Sequence, residues 1–431
     1  MIKIINSNGI NPLRGAYGDR ATGAMHTAAP AAITAAVGEI IDDIISRGDE
    51  AMREYTKRFD GCELEKFELP QSALDEAVSK AGSEFVGIME RAAGNIEDFH
   101  RRQVREGFIV TKDDGVILGQ RIIPLGRVGL YVPGGTASYP SSVLMNCIPA
   151  KLAGVGEIIV ATPPSREGRE NTGILAAAKI AGAHRVFTIG GAQAIAALAY
   201  GTQTIPRVDK ITGPGNAYVA EAKRQVFGAV GIDMIAGPSD ILVIADCDAN
   251  PVMVAADLLS QSEHGEDSAA TLITDNEELA MKVGAEIEAQ LAALPRGKIA
   301  RASIDGNGRI IIAQSLDEAF EISNELAPEH LEIFLDNPFK YLNKVKNAGS
   351  VFLGKNTPEA LGDYYAGPNH TLPTSGTSRF FSPLSVDDFV KKSSFTFYTD
   401  KALQSAGNDI IRFAEEEGLA AHAQSVSRRL K

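Results

Sequence analysis

At 431 residues, 44% of them hydrophobic, the chain can bury a large core and is long enough for more than one domain. A formal net charge of −13 argues against a nucleic-acid binder, which carries a basic patch, and against attraction to an anionic membrane. Three widely spaced cysteines, Cys62, Cys147 and Cys247, supply no disulfide framework. MIKIINSNG lacks a signal-peptide core and no apolar run has the length of a membrane span, so a soluble, cytoplasmic protein is expected.

Residues 1–30 are rich in Gly, Ala and Thr and read as an arm. From Ala31 to Phe59, Val37, Ile40, Ile41, Ile44 and Ile45 recur at helical spacing and predict one long amphipathic helix, with Gly61 beyond its end. A second helix is predicted over Ser83 to Arg102, and strands within Gly115 to Val132. From about residue 131 the pattern becomes strand, glycine turn, helix. Strands are expected at Glu157–Ala161, His184–Ile189 and Val208–Thr212, with helices at Gly173–Ala181, Ala192–Tyr200 and Asn216 to about Val226.

A second series of the same plan follows. It runs from strand Asp240–Ala245 through a helix capped by Asn250, with Pro251 at its first position, that carries Leu258, Leu259, Gln261 and His264 to Gly265. Next come strand Ala269–Thr274, helix Glu277–Leu294, strand Arg309–Ala313, helix Leu316–Leu326, strand Leu331–Leu335, helix Tyr341–Ala348 and strand Ser350–Leu353. Gly362 to Pro383 reads as loop, and a helical segment from about Asp400 to Arg429 closes the chain. Its Ile410, Ile411 and Phe413 need a surface, on the chain's own core or on a partner subunit. The fold class expected is α/β: two parallel-sheet domains, Rossmann-like but incomplete, produced by internal duplication. The expected boundaries are an arm at 1–30, one α/β domain from 31–130 with 237–375, another at 131–236, and a helical tail at 376–431.

Histidines are scarce, seven in all, so their placement is informative. Gln261 and His264 are three residues apart near a helix end and can reach one ion from the same face. Asp363, His370 and His422 offer further ligands, and two nitrogens with two oxygens suit zinc. Each residue also has a plainer reading: Asp363 as a turn-former after glycine, His422 on the wet face of a terminal helix. Pro328 disfavours helical geometry at Ala327, which puts Glu329 and His330 in the turn before a strand. There they are either a proton-handling pair or a solvent-facing turn residue and a strand cap. The turns Gly134-Gly135, Gly190-Gly191 and Gly213-Pro214-Gly215-Asn216 follow strand-like runs, as phosphate-binding turns do, but no G-x-G-x-x-G occurs.

Several longer motifs resemble histidinol dehydrogenases: Asp257-Leu-Leu-Ser-Gln-Ser-Glu-His-Gly-Glu-Asp-Ser268, Ala327-Pro-Glu-His-Leu-Glu332 and Gly349-Ser-Val-Phe-Leu-Gly354. Others are Gly190-Gly-Ala-Gln-Ala-Ile-Ala-Ala197, Gly213-Pro-Gly-Asn-Ala-Tyr218, Gly237-Pro-Ser239, Asn369-His-Thr-Leu-Pro-Thr374 and Glu417-Gly-Leu-Ala-Ala-His422, in order along nearly the whole chain. The resemblance implies NAD-linked oxidation of L-histidinol through L-histidinal to L-histidine, the last steps of histidine biosynthesis. It implies one zinc per active site on Gln261, His264, Asp363 and His422, with Glu329 and His330 as the catalytic pair. Cofactor contacts map to Tyr131, Gln193 and Asn216. Substrate contacts map to Ser239, His330, Asp363 and Glu417, together with the zinc ligands Gln261, His264 and His422. It further implies a homodimer with exchanged terminal segments, in which His422 completes the partner's zinc site. By the same resemblance the first α/β domain carries zinc and catalysis and the second binds NAD. Relatives oxidising another small amino or sulfo alcohol are the nearest alternative. A thiohemiacetal on Cys147 is the rival mechanism; Cys147 reads instead as a small buried residue.

Overall fold

The structure, a computed structural model, describes residues 2–7, 29–134, 138–164 and 171–430. Most of the expected arm, and Gly135, lie outside them. The chain divides into two compact units: Met1–Gln103 with Leu125–Phe389, and Val104–Pro124 with Val390–Lys431.

Two parallel sheets organise the first unit. The five-stranded sheet contains β4 (Arg127–Tyr131), β5 (Glu157–Thr162), β6 (Arg185–Thr188), β7 (Lys210–Thr212) and β8 (Gly231–Ile232), ordered β6-β5-β4-β7-β8. The six-stranded sheet contains β1 (Lys3–Asn6), β9 (Asp240–Ala245), β10 (Ala269–Thr274), β11 (Arg309–Ile312), β12 (His330–Phe334) and β13 (Ser350–Leu353), ordered β1-β11-β10-β9-β12-β13. With β1 set aside, both sheets run third, second, first, fourth, fifth in chain order, and every pairing in them is parallel. The duplication expected from the repeating pattern is therefore present in the topology. Runs such as Asp240-Ile-Leu-Val-Ile-Ala245 are buried at every position, as strands covered on both faces must be.

Helices α1 (Ala31–Arg47), α2 (Asp49–Tyr55), α3 (Gln71–Ala81) and α4 (Ser83–Arg101) lie in the chain between β1 and the strands of the five-stranded sheet. The single helix predicted from Ala31 to Phe59 is broken at Gly48, whose φ of +58° belongs to no right-handed helix. Tertiary contacts hold the break. Gln203 Oε1 accepts from Asp49 N (2.7 Å), and Asp49 Oδ1 accepts from the hydroxyls of Thr202 (2.5 Å) and Thr204 (3.1 Å). The α1 stripe Val37, Ile40, Ile41 and Ile44 packs in the core of the five-stranded sheet, with Ile159, Phe187 and Ile195. The expected boundaries had grouped this helix with the other α/β domain.

The crossovers of the five-stranded sheet are α5 (Pro140–Leu152), α6 (Thr172–Ala181), α7 (Gly191–Tyr200) and α8 (Ala217–Val226). Those of the six-stranded sheet are α9 (Pro251–Ser262), α10 (Glu277–Leu291), α11 (Gly297–Asn307) and α12 (Leu316–Leu326). The helix expected at Tyr341–Ala348 is replaced by two short 3-10 turns, Pro338–Lys340 and Leu342–Lys344. The region read as loop from Gly362 begins inside a helix, α13 (Glu359–Tyr364).

In the second unit β2 (Phe108–Thr111), β3 (Ile117–Pro124) and β14 (Val390–Phe397) form an antiparallel sheet ordered β14-β3-β2. Two helices, α14 (Asp400–Glu416) and α15 (Ala420–Ser427), follow and pack on each other. Gly418, at φ +73°, splits the segment predicted as one helical run. Phe413 is 71% exposed. No helix among the described residues is long and apolar enough to cross a membrane.

Candidate active site

His330 is the first residue of β12, and its neighbour β9 begins at Asp240. The two strand starts are bonded to each other through side chains. His330 Nδ1 lies 2.9 Å from the Asp240 carbonyl. Glu329 Oε2 accepts from Asp240 N (3.0 Å), and Glu329 N donates to Asp240 Oδ1 (2.9 Å). Because a carbonyl only accepts, Nδ1 of His330 carries the proton, and in the neutral ring Nε2 is left as the base. That Nε2 is buried without a hydrogen-bond partner, 3.8 Å from both Glu359 Oε1 and Asp363 Oδ1.

The electrostatics follow from this crowding. Burial and the nearby Asp240 push the Glu329 carboxyl up to about 8, against the pull of His330. Burial disfavours a charged His330, yet Glu329, Asp363 and Glu359 together outweigh it and raise the imidazole to about 10. Burial and Asp363 raise Glu359 to about 8. Burial acts upward on Asp363 too, but His330 and His370 hold it below the usual carboxylate range. The site thus concentrates negative charge that a cation would relieve.

A cleft of about 1100 Å³ reaches these groups. Its walls include Ser239, Gln261, His264, Glu329, His330 and Asp363 on the six-stranded side, and the turn Gly213–Asn216 on the five-stranded side. The catalytic candidates sit at strand beginnings, whereas the glycine turn follows the end of β7, where ligands of open α/β sheets ordinarily bind. Gln261 is fully buried, and both its amide oxygen and its amide nitrogen lack partners within the protein. Leaving such an amide unsatisfied costs about 1–3 kcal/mol per group, which suits a side chain shaped to hold something else. His264 is accessible on the cleft wall, and its desolvating surroundings lower its pKa, favouring the neutral, ligating ring. One ligand atom each from His330, Glu359 and Asp363 can also be chosen within 4.8 Å of one another. The donor set of imidazole, amide and carboxylate fits a zinc-like cation.

The remaining expected residues lie as follows. His370 bonds through Nδ1 to the Asp363 carbonyl (2.9 Å) and through Nε2 to Ser142 Oγ (3.1 Å), so both ring nitrogens are engaged within the protein. Asn216 lines the cleft, with its Oδ1 capping α8 through Tyr218 N and Val219 N. Tyr131 and Gln193 are buried beside Gly191; Tyr131 Oη accepts from Gly191 N (3.1 Å), and neither residue is on the cleft wall. Glu417 and His422 are exposed in the second unit. Cys147 is fully buried, and burial pushes its thiol up.

Sequence reasoning missed Asp240, Glu332 and Glu359. Glu332 accepts from Glu359 N (2.6 Å) and is bonded to Asp257. A carboxylate in the middle of the apolar strand His-Leu-Glu-Ile-Phe was a usable signal, because a parallel strand buried on both faces does not carry a charge without reason. Glu359 lies one helical turn before Asp363, but that spacing means something only once the segment is known to be helical.

Two like-ordered parallel sheets bordering one cleft, with a buried histidine–carboxylate pair on its wall, define an α/β enzyme. A family model, histidinol dehydrogenase, matches residues 24–430. A histidinol dehydrogenase from Bacillus cereus is 56% identical over 92% of this chain and 92% of its own length, and one from Clostridium acetobutylicum is 52% identical over 91% of each. The crystal structure of histidinol dehydrogenase from Elizabethkingia anophelis superposes with a TM-score of 0.92 at 39% identity, covering 99% of this chain and 98% of that one. The chain belongs to the histidinol dehydrogenase family of oxidoreductases.

Proposed function

We propose that this enzyme oxidises L-histidinol through L-histidinal to L-histidine, reducing two NAD and consuming one water, with one zinc bound per subunit. The observation that carries the reading is the His330 ring, anchored at Nδ1 by the Asp240 carbonyl and unpartnered at Nε2, on one wall with Glu329, Gln261 and Asp363. His330 Nε2 takes the hydroxyl proton as hydride leaves the carbinol carbon, and does so again for the aldehyde hydrate. Glu329, beside it, takes the proton of the water that adds to the aldehyde. A zinc ion held by Gln261, His264, Asp363 and His422 would bind the substrate's amine and imidazole nitrogens and by its charge lower the proton affinity of His330. Ser239 and Glu417 complete the substrate set, and Tyr131, Gln193 and Asn216 the NAD set. The protein works as a homodimer in which Glu417 and His422 serve the partner's site; the exposed Ile410 and Phe413 of α14 supply apolar surface for that contact.

Steady-state NADH formation from histidinol and a panel of small amino and sulfo alcohols tests the chemistry. Two NADH per histidinol are expected; none from histidinol but turnover of another alcohol would reassign the substrate. Mixing a His330→Asn chain with a His422→Ala chain, each inactive alone, tests the shared site. Hybrid dimers should regain activity, because one of their two sites is intact. Failure of any mixture to recover activity would place His422 in its own chain's site.

A further inference from the structure

Lys223 and Asp233 form an ion pair with side chains only 2% and 1% exposed, and nothing in the proposed chemistry uses it. Burying two charges is costly, so the pair needs a structural or functional return. Its contacts converge on one residue, Gly213. Lys223 Nζ donates to the Gly213 carbonyl (2.9 Å), while Gly213 N donates to Asp233 Oδ2 (2.8 Å). Asp233 Oδ1 pairs with Lys223 and also accepts from Met234 N (2.7 Å). Both polar groups of Gly213 are thus gripped by the same pair. Gly213 stands at φ +109°, and a Cβ there would lie 2.0 Å from the Tyr131 carbonyl. The turn that follows, through Asn216, lines the cleft. Asp233 sits on the segment that leaves β8 and reaches Ser239 at the start of β9, the crossing from one sheet to the other. Along it, Gly237 N donates to Thr374 Oγ1 (2.6 Å).

We propose that Lys223 and Asp233 are positioning residues for the dinucleotide: they set the Gly213–Asn216 turn by holding both polar groups of Gly213. The proposal rests on the reading of that turn as an NAD contact. Removing the charges loosens the turn and not the catalytic wall, so it weakens the hold on NAD while leaving substrate and metal in place.

The test uses the metal-loaded enzyme carrying Asp233→Asn, and the doubly neutral Lys223→Gln/Asp233→Asn, which strands no buried charge if the single variant folds poorly. The KM for NAD and the Kd for NADH, measured by its fluorescence, should rise about tenfold or more, the factor that about 1.4 kcal/mol of lost binding produces. At saturating NAD, kcat should stay within about threefold, with the KM for histidinol and the metal content unchanged. A lowered melting temperature with unchanged NAD constants would make the pair merely structural and overturn the proposal. So would an equal rise in both KM values. An unaltered enzyme that binds no NADH would instead sink the cofactor reading beneath it.

Discussion

The Asp240 carbonyl lies 2.9 Å from His330 Nδ1, and through that one bond it decides which nitrogen of the ring can act as a base. The bond joins the first residues of two adjacent parallel strands, so the register of β9 against β12 sets the tautomer. Glu329 and the Asp240 side chain and amide close the arrangement from the other side.

Replacing His330 by Asn keeps a donor near the Asp240 carbonyl and removes the base. Turnover should fall by about 10²–10⁴-fold, the usual worth of a general base. The melting temperature should change little. Equal turnover of the variant and the unaltered enzyme would remove His330 from the chemistry.

Gln261 separates metal binding from folding. Its amide is buried with no protein partner. Gln261→Leu therefore removes an unsatisfied group, and the chelator-treated variant should melt at or above the chelator-treated parent, by about 1 kcal/mol. Its affinity for zinc should fall, as read by metal titration and retained metal content. A destabilised, metal-free Leu variant with normal zinc affinity would show that the amide serves the fold.

Asp257 gives a stability signature at mildly acidic pH. Burial pushes its carboxyl from 3.8 up to about 6, in contact with Glu332, which burial also raises. A folded-state pKa above the unfolded one means that the folded protein holds the proton more tightly. This stability contribution is complete below pH 4 and is lost as pH climbs through 6. Asp257→Asn should flatten that decline in denaturant titrations between pH 4 and 7 and gain on the order of 1 kcal/mol at pH 7. An unchanged slope would show that other groups set the decline.

Cys147 tests the covalent alternative. The thiol is fully buried and burial disfavours the thiolate. Cys147→Ala should retain turnover while losing about 1 kcal/mol of stability to a small cavity. Loss of activity with normal metal content and dimerisation would reinstate a thiohemiacetal.

Much of this protein is legible in its residues taken one segment at a time. The helically spaced and buried-strand runs, the glycine turns and the cap at Asn250 identify most strands and helices of both sheets. They do so because local chain geometry answers to local side chains. The repeating plan foretold two sheets, and their common strand order bears it out. The motifs around Gln261, His264, Glu329, His330 and Asp363 marked the wall that the fold assembles. Contacts distant in sequence decided the rest. Gly48 breaks a helix because residues 202–204 hold Asp49. Glu332 and Glu359 join the site because the first turn of α13 donates to the Glu332 carboxylate on β12, and Asp233 meets Gly213 because β7 and β8 are neighbours. The tautomer of His330, the charge crowded around it and the solitary Gln261 amide are properties of juxtaposition. No periodicity records them, because burial and pairing energies depend on which groups the tertiary fold brings together.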